Sequence, residues 1–161
     1  MRIRGPLVMA ALGLISLILW WRAAPLEMRF LDTATTLSTL GVLFGVLGVT
    51  AYAVNVLLGA RLRPISDLFG GVDHMYTAHR INGRIAFLLI ATHAALIIAS
   101  RVSTDQLATL VDPSLGWATP LGVISFVLLA AGLYVTLYRR LGHETFVYVQ
   151  RTLCLIFIVA V

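Results

Sequence analysis

The 161 residues are 60% hydrophobic and only 12% charged, with a mean hydropathy of +0.95; so few polar groups cannot coat a water-soluble domain, and lipid is the expected solvent. The formal charge of +5 rests on 12 arginines, with no lysine, and these cluster between apolar runs, a pattern that sets membrane orientation and argues against nucleic-acid binding. Cys154 is the one cysteine, which excludes an internal disulfide and an iron–sulfur cluster and leaves nitrogen ligands for any redox centre.

Five apolar stretches, in chain order about Pro6 to Trp21, Thr36 to Leu58, Ile85 to Ser100, Pro120 to Tyr138 and Phe146 to Val161, predict an all-α polytopic transmembrane bundle in one domain. The first reads as a retained anchor, because Trp20, Trp21 and Arg22 make an interfacial end. Its short apolar core and the small Ala23 and Ala24 leave a secretory signal as the alternative. The second carries Gly41, Gly45 and Gly48, small residues that admit close helix packing or a flat ligand. The last stretch would rise only about 24 Å and ends with no polar cap, so the domain is expected to continue past Val161.

Arg2, Arg4, Arg61, Arg63, Arg80, Arg84, Arg139 and Arg140 fall on one side of these stretches, against Arg22, Arg29 and Arg101 on the other. This asymmetry predicts a cytoplasmic N-terminus. His79 then lies near the cytoplasmic surface and His93 in the outer half of the same helix. The two are fourteen residues apart, nearly four turns, so both imidazoles return to one helix face at an axial separation of roughly 21 Å. That distance is too great for one shared metal ion, and ionisable groups inside a membrane point to function.

Neutral imidazole can bind haem iron, zinc or copper, or relay protons. Zinc needs three or four grouped ligands, and the carboxylates near a histidine, Asp73 and Glu144, lie at the membrane border. A proton relay needs titratable groups between the histidines, where Asn82, Arg84 and Thr92 are the polar residues. Haem is the economical reading, one group at each histidine. Gly83, one turn after His79, offers room for a porphyrin edge or for helix packing. Arg80 and Arg84 suit haem propionates or simply membrane orientation. His74 follows Gly70, Gly71 and Asp73, residues of a turn or helix start, and reads as solvated.

The run from Leu68 through Gly70, Gly71, His74, His79, Arg80 and Gly83, with nine residues between Gly83 and His93, resembles the haem-binding core of the ferric reductase-like transmembrane domain. That superfamily includes ferric reductases, NADPH oxidases and bacterial membrane flavocytochromes. The resemblance covers about Arg61 to the C-terminus and implies six helices in the complete domain, one or two b-type haems, and a bacterial inner-membrane location. His79 and His93 would be axial iron ligands, His79 for the cytoplasmic-side haem and His93 for the outer one. FAD and NAD(P)H would sit on a further domain or a partner flavin reductase, since no glycine-rich dinucleotide motif is present here.

The partner helix departs from the family pattern. His143, Glu144, Phe146 and Tyr148 lead to Gln150 and Arg151, so glutamine stands where the resemblance places the second ligand of the cytoplasmic-side haem. That iron would be five-coordinate, bound by His143 about two turns earlier, or absent. The outer haem's partner would fall beyond Val161. The implied activity is electron transfer from a cytoplasmic flavin to an outer-side acceptor, as a membrane oxidoreductase. A cytochrome b subunit serving a separate redox protein, and a haem-free transporter or scaffold, are the alternatives.

Overall fold

The computed structural model describes residues 4–138 together with residues 148, 152 and 155. Among the described residues five α-helices occur: α1 (Arg4–Arg22), α2 (Thr33–Gly59), α3 (Arg63–Phe69), α4 (Val72–Ser103) and α5 (Ala118–Tyr138). Among the described residues there is no strand. α1, α2 and α4 are each long and apolar enough to cross a membrane, and α5 carries a shorter apolar stretch over Ala118–Gly132. The expected fifth stretch lies outside the described residues, apart from 148, 152 and 155.

Local chemistry sets the helix ends. Asp32 caps α2 by accepting from the Thr35 amide at 2.7 Å, while the Asp32 amide donates to the Thr35 hydroxyl at 3.0 Å; this reciprocal pair satisfies amides the first turn leaves without partners. α3 begins with Pro64 in its first turn and stops at Gly70, whose φ of 80° is left-handed. There the Gly71 amide bonds the Ser66 carbonyl and the Gly70 amide the Asp67 carbonyl, the double closure of a Schellman motif. Gly71, at φ 129°, turns the chain directly into α4. Arg61 takes a left-handed φ of 55° between α2 and α3, where its guanidinium donates to the Tyr76 hydroxyl of α4.

α4 starts at Val72 rather than near Ile85, where the apolar stretch begins. Asp73, His74, Arg80 and Arg84 lower the hydropathy of the first turns, yet helical hydrogen bonds are local and run on past the apolar boundary. His74 is thereby exposed in the first turn of α4.

The chain divides into two compact units, Met1–Thr104 and Asp105–Val161. In the first, α2 and α4 lie antiparallel along most of their length. Ser100 Oγ donates to the Ala34 carbonyl at 2.8 Å, and Asn82 Nδ2 to the Ala51 carbonyl at 2.7 Å. α1 joins α2 through the Ser16 and Thr50 hydroxyls, 2.8 Å apart, and Gly5 lets its backbone rest on the Phe69 ring of α3. A cluster of Leu58, Phe69 and Met75 closes this end of the bundle, with Met9, Val54, Ile65 and Ala78 packed around it. The outward side chains of α1 and α4 are apolar and exposed, Leu7, Leu14, Leu19 and Leu88 among them, as a lipid-facing surface requires. In the second unit, two short 3-10 turns precede α5, and the Asp112 carboxylate accepts from the Ser114 amide at 2.9 Å.

Candidate functional site

Both histidines of α4 turn towards α2 and are half-buried. His79 Nδ1 lies 3.0 Å from the Asn55 carbonyl oxygen, and His93 Nδ1 lies 2.7 Å from that of Gly41. A carbonyl only accepts, so each Nδ1 carries the proton and donates it. In a neutral ring the Nε2 then holds the free lone pair. No described residue bonds either Nε2.

The two sites repeat one design. His79 and His93 are fourteen residues apart on α4, and so are their acceptors Asn55 and Gly41 on α2. Seven residues beyond His93, Ser100 bonds the Ala34 carbonyl, itself seven residues before Gly41. By the same step Gly48 and Ala86 stand between the histidine pairs, both buried, Ala86 completely. A seven-residue repeat keeps two helices facing along one seam. Here the seam sets two equivalent nitrogen donors about 21 Å apart along the axis.

Glycines flank both rings. A Cβ at Gly45 would lie 2.7 Å from His93 Nδ1, and one at Gly59 would lie 3.3 Å from His79 Cε1. Gly83 faces the Asn55 amide, which a Cβ there would meet at 3.0 Å. Asn82 is buried and reaches the Asn55 Oδ1 at 3.4 Å in addition to its bond to Ala51. Arg80 and Arg84 are exposed. His143 and Gln150 lie outside the described residues. Among those described, no three His, Cys, Asp or Glu side chains gather as a metal site.

The tautomer is the one a metal-binding histidine uses: such a residue almost always donates its other ring nitrogen to a carbonyl or carboxylate, which orients the ring and raises its basicity. Porphyrin iron takes its remaining ligands from the macrocycle, so one or two imidazoles suffice. With Nε2 left to bind, His79 and His93 are each a residue that could hold a haem iron.

Sequence reasoning did not single out Asn55, Gly59 or Arg29 for a structural task. Arg29 is buried at 5% exposure, donates from Nη2 to the Trp20 and Trp21 carbonyls at 2.6 and 3.0 Å, and lies 4.2 Å from the Trp20 ring centroid. It closes the C-terminal end of α1, where carbonyls lack amide partners and a cation is favoured. The adjacent Trp20 and Trp21 were its visible signal, since a cation and an indole pair readily.

A family model described as the ferric reductase like transmembrane component matches residues 44–161. No curated protein and no solved structure matches the chain. The matched region takes in most of α2, the Gly70–Gly71 turn and both histidines of α4, and the chain belongs to the ferric reductase-like transmembrane family.

Proposed function

We propose that the chain is the membrane part of a haem b oxidoreductase, passing electrons from a cytoplasmic flavin and NAD(P)H module to an acceptor on the outer side. One observation carries the reading: two imidazoles of one helix each donate Nδ1–H to a backbone carbonyl of α2 and keep Nε2 for a ligand. Membership of a family associated with transmembrane electron transfer supports it.

Bound at Nε2, b-type haem supplies reversible one-electron chemistry that no amino-acid side chain of this set provides. The protein's own residues set its conditions. His79 and His93 hold the two positions, and the Asn55 and Gly41 carbonyls orient the rings and make them stronger donors. The apolar seam between the positions, with Gly48 and Ala86 at its centre, excludes water. Arg80 and Arg84 put positive charge beside His79, which favours the reduced, more negative state there. The arginine asymmetry supports a cytoplasmic His79 end, on the side where the flavin module would dock.

Reduced-minus-oxidised spectra of the detergent-purified chain test this. Wild type is expected to show b-type bands, and the double variant His79→Ala, His93→Ala to lose them. Bands missing from wild type, or undiminished in the double variant, would overturn the reading.

A further inference from the structure

Each imidazole rests on α2 in the same way. The accepting carbonyls belong to Gly41 and Asn55, and the residues four positions later are Gly45 and Gly59. In an α-helix the amide of residue j+4 bonds the carbonyl of residue j. The side chain at j+4 therefore stands beside the one lone pair of that carbonyl left for another donor. Any Cβ there narrows the approach.

Slimmer donors use α2 carbonyls without this provision. Ser100 bonds Ala34 and Asn82 bonds Ala51, and four residues after those acceptors stand Ser38 and Asn55. A glycine occupies the fourth position in both cases where the incoming group is an imidazole ring, and in neither case where it is a hydroxyl or an amide. The clearances agree, at 2.7 Å to His93 Nδ1 from a Cβ on Gly45 and 3.3 Å to His79 Cε1 from a Cβ on Gly59.

We infer that Gly45 and Gly59 are positioning residues for the two ligand histidines, each keeping the carbonyl four residues before it open so that the ring can donate Nδ1–H and present Nε2. The inference rests on the electron-transfer reading for its redox consequences, but not for its geometry. A methyl at Gly45 meets His93 Nδ1 directly and must push the ring off the Gly41 carbonyl. Loss of such a supporting bond typically weakens metal binding about 10–100-fold, and a less basic ligand raises the potential of the iron it holds. At Gly59 the methyl meets a carbon at a longer distance, so the effect on His79 is the same in kind and smaller.

Redox titration of the full chain, with nitrogen-15 NMR of labelled histidines, tests the proposal. In Gly45→Ala the haem component that His93→Ala abolishes should weaken or move to higher potential, and the His93 Nδ1 resonance alone should shift. Gly59→Ala should act likewise on the His79 component, more mildly. Gly48→Ala is the packing control, because its Cβ meets Ile90 Cγ1 at 2.9 Å and no imidazole. An unchanged potential and an unchanged His93 resonance in Gly45→Ala would overturn the inference, as would an equal His93 shift in Gly48→Ala. Should Gly45→Ala fail to fold, Gly59→Ala decides by the same two readouts at His79. A wild type without b-type bands would sink the electron-transfer reading, while the NMR comparison would still decide the seats.

Discussion

Asn82 Nδ2 donates to the Ala51 carbonyl at 2.7 Å, one helical turn along α2 from the Asn55 carbonyl that receives His79. The buried amide thus locks α4 to α2 beside one of the two histidines. Hydrogen bonds between helices in a membrane contribute about 0.6 kcal/mol on average and up to roughly 1.7. Asn82→Leu should therefore lower thermal stability in detergent by about 1 kcal/mol and loosen the His79 position while leaving His93 unaffected. Equal disturbance at both histidines would count against this local role.

Gly13 and Gly48 separate backbone preference from packing. A Cβ at Gly13 meets nothing within 4 Å, whereas one at Gly48 lies 2.9 Å from Ile90 Cγ1 and 3.1 Å from the Ile90 backbone nitrogen. Gly13→Ala should be neutral or stabilising by up to about 1 kcal/mol, since glycine disfavours helix by that amount. Gly48→Ala should cost about 1–3 kcal/mol through local overpacking against Ile90. Melting curves of the two variants check the order.

Arg29 couples the α1 terminus to the start of α2, because its backbone carbonyl also accepts from the Thr39 hydroxyl at 3.0 Å. Hydrogen bonds to a charged group contribute roughly 1.5–3 kcal/mol, and among the described residues Arg29 Nη1 is a buried nitrogen with no hydrogen-bond partner. That cost offsets part of the gain. Arg29→Ala should destabilise by about 2 kcal/mol and speed amide exchange in the last turn of α1, with no change in the histidine resonances.

Asp32 makes the N-terminus of α2 sensitive to acid. The Thr35 amide, and then the Thr35 hydroxyl, hold its carboxyl below the usual aspartate range. A carboxyl whose pKa is depressed on folding contributes fully above its unfolded value, about 3.9, and loses that contribution as pH falls through the lower folded value. Amide exchange at Thr35 and Thr36 should therefore accelerate below about pH 4. Asp32→Asn keeps a capping oxygen and should abolish the pH dependence.

The histidine pair was legible because two numbers decide it: a separation of fourteen and a helical period of 3.6. The acceptors were not legible. Every residue carries a carbonyl, so nothing in the identity of Gly41 or Asn55 announces that it receives an imidazole. Gly45 could be read from the sequence as a small residue for packing or for a flat ligand; its proximity to His93 emerges only with the register of α2 against α4. Gly83 reads as room for a porphyrin edge or for helix packing, and a Cβ there would meet the Asn55 amide at 3.0 Å. Arg29 reads as an orientation charge because its partners are backbone groups eight and nine residues away.

Composition and periodicity by themselves determined that the chain lives in lipid, that it is helical, and that two imidazoles share a helix face at separate depths. These are properties of a single segment and its solvent, and local rules suffice for them. Tertiary structure alone decided which nitrogen of each ring is free, because that choice depends on a carbonyl contributed by another helix. It also decided which glycines matter, since an absent side chain acquires meaning only from the atom that approaches it.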